Sequence, residues 1–404
     1  MKIARVATAV VEANYNWTYV RIWDEDGTYG TGESFFAPGL TGMVRDLSNA
    51  LIGQEPRDVD RLWRRLRRAA SGAGSTSGIV WNAISGMEAA LLDLVGKSLG
   101  VPIWQLLGGR YRRQVRMYAD CHAGSGIESI GPGMEHRRPP WYEAAVAALP
   151  EEDDSLAPEA HANRARAAVA NGFDALKFDL DLVEPDSQDE LYRPLTNVEI
   201  AAMRDRVAAV RQAIGPGVDL ALDCHWRYSL PDAARIARAV EPFGILWLED
   251  AAPPYNAQTF LTLRQSTSVP LGTGENLFLR QGFRELIQQQ AVAIISPDCQ
   301  KAGGLLELRR IADFADTYDI LVAPHCIASP LGTMASVHLC AAIPNFVALE
   351  FHGQDVPFWD EMLAGDGPLI RGGRIAVPDR PGLGVELDEE AARAYAAPTE
   401  GWFE

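Results

Sequence analysis

Along the first hundred residues the apolar positions alternate with polar ones, then change to a helical period. Lys2–Glu12, Trp17–Trp23 and Thr28–Glu33, the last two joined by Asp24-Glu25-Asp26-Gly27, read as an antiparallel sheet. Gly39–Ala50, Val59–Ala70 and Trp81–Gly96 carry apolar residues at helical spacing, with a Gly/Ser-rich run over 71–78 before the third. Strands followed by helices describe an α+β unit. From Val115 onward, short apolar runs alternate with helical segments. The eight runs are Val115–Asp120, Ala175–Asp179, Val218–His225, Ile245–Asp250, Val269–Glu275, Val292–Asp298, Ile320–His325 and Phe346–Phe351. Eight such units in roughly 250 residues predict an α/β fold, a TIM-type (β/α) barrel, here with a weak last helix. Thr196 and Glu199 form a capping box ahead of Ile200–Ile214. The expected organisation is an N-terminal α+β capping domain over 1–114, the barrel over 115–352, and a C-terminal segment over 353–404 that returns to complete the cap.

Three acids close successive barrel runs: Asp223, Glu249 and Glu275, each twenty-six positions from the next. Parallel barrel strands deliver their C-terminal residues to one rim, so the three carboxylates are expected to converge. Three hard oxygen ligands suit Mg²⁺, with open positions left for water or a substrate carboxylate. The alternative is that each acid caps the loop or helix after its own strand.

Other candidates sit at neighbouring strand ends. Asp298 closes the sixth run and His325 the seventh, so the carboxylate can fix the imidazole tautomer and raise its basicity. His325 is therefore a candidate general base, unless it is a hydrogen-bonded structural residue. His225, two residues past Asp223, is expected on the same strand face beside the metal. There it can donate a proton to a departing hydroxyl, ligate the metal, or hydrogen-bond a loop. Lys177 and Asp179 share one face of the second run and are expected to pair, which keeps the ammonium charged for a substrate carboxylate. A purely structural ion pair is the alternative. Glu350 lies at the end of the eighth run.

The 404 residues exceed what one core usually supports, in keeping with two units. A net charge of −17 argues against nucleic acid and anionic membrane as partners. No uncharged apolar stretch approaches the roughly 20 residues of a membrane span, and Val6–Val11 is too short for a signal-peptide core. A cytoplasmic protein is expected. The five cysteines show no paired spacing and read as reduced thiols. Cys224, Cys299 and Cys326 directly follow Asp223, Asp298 and His325, so strand alternation sends them outward to pack under the helices. Two long connections, Cys121–Ala157 with His122, His136, Arg137, Arg138 and Trp141, and the acidic Leu180–Leu195, leave the same rim. Together with Asn14–Trp17 they are candidates for reading the substrate.

The cap, the eight-unit barrel, Asp223, Glu249 and Glu275, the Asp298 and His325 pair, Glu350, and the junction Gly100-Val101-Pro102-Ile103-Trp104-Gln105-Leu106-Leu107-Gly108-Gly109 together resemble the enolase superfamily, mandelate racemase subgroup. The His of Asp223-Cys224-His225 makes the acid-sugar dehydratases, D-galactonate dehydratase among them, the most similar members. The resemblance implies removal of the proton α to a carboxylate, an enediolate held on Mg²⁺, and β-elimination of water from a sugar acid (aldonate or aldarate) to give a 2-keto-3-deoxy acid. It implies His325 as base, His225 as acid, Glu350 as a protonated donor to a substrate carboxylate oxygen, and a homo-oligomer. One departure matters. Racemases of this subgroup carry Lys-x-Lys at the end of the second strand, and here the second position is Asp179. A racemase or epimerase of a 2-hydroxy acid, or a binding or regulatory protein on the same fold, are the rival readings.

Overall fold

The computed structural model describes residues 1–74, 76–122, 138–148, 156–180, 194–365 and 367–404. Its N-terminal unit is a sheet of β1 (Ile3–Glu12), β2 (Asn16–Asp24) and β3 (Tyr29–Ser34), antiparallel in that order. Asp24 builds the second turn: its Oδ1 accepts from the amides of Asp26 at 3.0 Å and Thr28 at 2.9 Å. Helix Ile79–Leu99 lies across this sheet, and glycine permits the close approach, since a Cβ on Gly30 would sit 2.2 Å from the Ala90 carbonyl oxygen. By length and composition this helix is apolar enough to cross a membrane, but 94% of its apolar window is buried inside the protein.

The barrel strands are β4 (Gln114–Cys121), β5 (Ala175–Asp179), β6 (Asp219–Asp223), β7 (Leu248–Glu249), β8 (Leu271–Thr273), β9 (Ile294–Ile295), β10 (Leu321–Val322) and β11 (Leu349–Phe351). They pair in parallel in chain order, and β11 pairs with β4. A parallel bridge between Val322 and Phe346, with the Val347 amide donating to the Val322 carbonyl at 2.9 Å, joins the remaining edges and closes the ring. Most strands stop short of the apolar runs that announced them, so His225, Asp250, Glu275, Asp298 and His325 lie just beyond regular pairing. The first element after β11 is only the turn Trp359–Met362, and the later helix Glu389–Ala394 has six residues. The chain then pairs β12 (Arg374–Ala376) antiparallel to β4 and runs back to the cap, where the amides of Ala397 and Phe403 donate to Val10 and Thr8.

The barrel interior is plugged by Tyr118, Ala175, Ala221, Trp247, Ile294, Ala323 and Ala348, with the Tyr118 and Trp247 rings edge to face at 5.4 Å. Two residues further along these strands stand Asp120, Lys177, Asp223, Glu249, His325 and Glu350. The pleat thus seals the barrel with apolar side chains and raises a polar layer directly above them. The cysteines that follow Asp298 and His325 turn outward: Cys299 Sγ lies 2.8 Å from Ser336 Oγ and Cys326 Sγ 3.7 Å from Thr333 Oγ1, both on helix Pro330–Ala342.

Two buried carboxylates dock the cap on the barrel. Glu33 accepts from the amides of Ser329 and Gly332, each at 3.1 Å, at the start of helix Pro330–Ala342. Glu88 accepts from the amides of Leu305 and Leu306, each at 2.9 Å, at the start of helix Leu305–Asp316. Both satisfy N–H groups that a helix leaves unpaired, and both meet the positive end of its dipole. Within the long connections, His122, Arg138 and Trp141 are described, whereas His136 and Arg137 and most of the acidic Leu180–Leu195 lie outside the described residues.

Candidate active site

Asp223 and Glu249 are register partners on β6 and β7, and Glu275 follows β8. One oxygen from each of the three carboxylates comes within 4.8 Å of the others. Glu249 Oε2 accepts from Trp247 Nε1 at 2.9 Å, while its Oε1 is buried with no hydrogen-bond partner among the described residues. Burial pushes Glu249 up to about 7; Lys177 opposes the shift, and the neighbouring carboxylates Asp223, Glu350 and Glu275 add to it. An orphaned, desolvated oxygen among like charges is costly. A hard divalent cation removes that cost, so these residues fit one.

His225 reaches this group by a route the strand pattern does not contain. The strand pattern places it on the β6 face, but β6 ends at Asp223 and the chain turns sharply, with φ of 42° at His225 and 53° at Trp226; after β7, Asp250 is left-handed too, with φ of 41°. Left-handed non-glycine residues are strained, and here the strain sits at the barrel mouth. The His225 amide donates to Asp223 Oδ1 at 2.9 Å, and its Nε2 lies 3.9 Å from Asp223 Oδ2. The turn, not the pleat, brings this ring to the cavity.

His325 and Asp298 meet as their strand-end positions require, with Nδ1 and Oδ2 2.7 Å apart. His325 Nε2 faces Glu275 Oε2 at 3.4 Å and Glu350 Oε2 at 3.8 Å. Burial alone would lower this imidazole, but the charges of Glu275 and Glu350 and the bond to Asp298 outweigh it and raise it to about 9.

The expected pairing of Lys177 with Asp179 is not found. Lys177 Nζ lies 2.7 Å from Glu350 Oε1, 3.0 Å from Asp223 Oδ2 and 3.6 Å from Glu249 Oε2, while Asp179 Oδ2 meets His122 Nδ1 at 3.4 Å. Residues two apart on a strand are roughly 6.6 Å apart, but neighbouring strands are only about 4.8 Å apart, so cross-strand partners win. Burial, which disfavours the ammonium, is overcome by Glu249 and Glu350, and the Lys177 pKa stays well above its usual value. Glu350 is held on both oxygens, by Lys177 and by the Cys326 amide at 2.8 Å.

A cavity of about 230 Å³ opens over this layer, between the barrel and Tyr15, Phe35 and Phe36 of the cap. Sequence reasoning missed several of its residues. Asp120 lies on β4, and its Oδ2 accepts from His122 Nε2 at 3.1 Å and lies 3.2 Å from His352 Nε2. These three also bring ligand atoms within 4.8 Å of one another, but the Lys177 ammonium, 4.0 Å from Asp120 Oδ1, already supplies positive charge there. The two-residue offsets from Asp120 to His122 and from Glu350 to His352 are the signal that was available. Nothing local singled out Lys301 and Asn276, which also line the cavity.

Residues 3–108 match the N-terminal domain of the mandelate racemase / muconate lactonizing enzyme family, and residues 160–391 match the family described as enolase C-terminal domain-like. The chain is 39% identical over 404 residues to a D-xylonate dehydratase of Haloferax volcanii, covering 100% of this chain and 91% of that protein. It is 30% identical over 408 residues to a D-galactonate dehydratase of Ralstonia nicotianae, covering 98% and 96%. Among solved structures, a mandelate racemase/muconate lactonizing enzyme-like protein from Rubrobacter xylanophilus superposes with a TM-score of 0.90 at 42% identity, over 100% of this chain and 99% of that one.

Proposed function

The chain belongs to the mandelate racemase/muconate lactonizing enzyme family of the enolase superfamily, and from that membership we propose that it is a Mg²⁺-dependent sugar-acid dehydratase. The observation that carries this reading is the placing of two histidines around one carboxylate triad: His325, backed by Asp298, beside Glu275, and His225 beside Asp223.

Asp223, Glu249 and Glu275 would hold the metal, which, when bound, supplies the positive charge that deprotonation next to a carboxylate demands. Lys177 and Glu350 orient the substrate carboxylate from the barrel floor. His325, its Nδ1 engaged by Asp298, has Nε2 available to take the C2 proton. His225 gives a proton to the C3 hydroxyl, which leaves as water; the C2–C3 enol then tautomerises to a 2-keto-3-deoxy acid. The cap rings of Tyr15, Phe35 and Phe36 line the far wall. Asp179, paired with His122, leaves no lysine base at the second position of Lys177-Phe178-Asp179, which disfavours the racemase reading. We place the enzyme in the cytoplasm, where its five free buried cysteines stay reduced, and expect it to self-associate as its family commonly does.

A stereochemically complete set of five- and six-carbon aldonic and aldaric acids, incubated with protein and Mg²⁺, tests the reading by 2-keto acid formation. Formation from at least one acid is expected. Solvent deuterium incorporation at C2 without any 2-keto product would replace dehydration with epimerisation.

A further inference from the structure

Two lysines reach the cavity, and their surroundings differ. Lys177 has Asp120, Asp223, Glu249 and Glu350 within 4.0 Å. Lys301 is 7% exposed, yet no carboxylate among the described residues lies within 4.0 Å of its Nζ. Its hydrogen bond runs to Asn276 Oδ1 at 2.8 Å, and its Nζ stands 4.3 Å from the centre of the Phe35 ring. Asn276 is in turn tied to Glu275, donating to its Oε1 at 2.7 Å.

An ammonium has three N–H donors. One is used by Asn276 and one direction is covered by the ring face of Phe35, which leaves a donor toward the cavity. Carboxylates act on this ammonium only from beyond ion-pair distance, Glu275 foremost, so its remaining donor still calls for a hydrogen-bond partner. Lys301 lines the cavity, so a molecule bound there can supply that partner. The carboxylate end of the substrate is accounted for by the metal group, Lys177 and Glu350. Lys301 instead stands on the Glu275 side beneath the cap, where the rest of the chain of a bound sugar acid must lie.

We propose that Lys301 is a substrate-binding residue that donates to a hydroxyl oxygen carried beyond C3 of the sugar acid, and so selects polyhydroxy acids over short 2-hydroxy acids. The proposal rests on the dehydratase reading above. Glu275, Asn276, Lys301 and Phe35 form one strut from the metal group to the cap, so the position of the ammonium is set from both domains.

Calorimetric titration with Mg²⁺ present tests it, in a His325→Asn background that prevents turnover, using D-xylonate and the truncated D-glycerate as probes. Lys301→Met is expected to weaken D-xylonate binding at least about tenfold, as loss of a charged hydrogen bond does, and to leave D-glycerate binding within about threefold. Lys301→Arg should recover part of the D-xylonate affinity. Equal loss for both acids, or no loss for D-xylonate, would overturn the role of Lys301 while leaving the dehydratase reading intact. Absence of binding of D-glycerate and of every five- and six-carbon acid of the set above by the protein with Lys301 in place would overturn the proposal together with the reading beneath it. D-glycerate binding by Lys301→Met also reports that the variant is folded.

Discussion

Asp298 Oδ2 and His325 Nδ1 lie 2.7 Å apart, one residue past β9 and the other past β10, and this contact aims the opposite ring nitrogen at Glu275 and the cavity. The bond both selects the tautomer and stabilises the imidazolium. His325→Asn is expected to lower exchange of the substrate C2 proton with solvent deuterium by at least about 10²-fold while Mn²⁺ binding is retained. Asp298→Asn removes one stabiliser of the protonated ring. A base works only when deprotonated, so the acid limb of the exchange profile should move to lower pH. NMR-monitored exchange across pH checks both; an unmoved limb would detach Asp298 from this role.

His225 stands beside Asp223, and the part proposed for it is elimination rather than proton abstraction. Hydroxide leaves poorly without a proton donor. His225→Asn should therefore suppress 2-keto acid formation by about 10²-fold or more yet still permit C2 deuterium exchange by His325. Dehydration at the unmodified rate in this variant would assign the acid elsewhere.

Removal of divalent metal with a chelator should stop both activities, and Mg²⁺ should restore them. Because Glu249 Oε1 is buried without a hydrogen-bond partner among the described residues, a metal bound there would also relieve a cost in the folded protein. The thermal midpoint is expected to rise with added Mg²⁺, as binding to the native state alone requires. In Glu249→Gln that rise should be much smaller at the same concentrations. Equal metal-dependent shifts in both proteins would remove Glu249 from the ligand set.

The cap–barrel contacts predict a pH dependence of stability. Burial raises Glu33 and Glu88 from 4.5 to about 7, against the amide bonds that lower them. Between those values the native state binds more protons than the unfolded chain, so stability is full near pH 4.5 and declines as pH rises to about 7. Urea midpoints measured in excess Mg²⁺ should fall across that window, and Glu88→Gln should flatten part of the slope. An identical slope in the variant would show that Glu88 does not carry it.

Much of this protein follows from local pattern alone. Period-two apolar runs, helical segments and the twenty-six-residue spacing of Asp223, Glu249 and Glu275 are enough to announce the barrel and the convergence of the three acids, because a parallel barrel maps strand ends onto one rim whatever its loops do. The Asp298 and His325 contact follows in the same way from adjacent strand ends. What the chain alone did not contain was set by packing between strands and between domains. Lys177 and Asp179 share a strand face, yet neighbouring strands stand closer than successive residues on that face, so Lys177 binds Glu350 and Asp223, and Asp179 binds His122. The approach of His225 depends on a left-handed turn after β6 that no periodicity encodes. Lys301 acquires meaning only when Phe35, more than two hundred residues earlier, covers it from the cap. Local periodicity determines which elements form and which end of each is polar; only tertiary contact decides which polar group meets which, because electrostatic partners are chosen by distance in space and not along the chain.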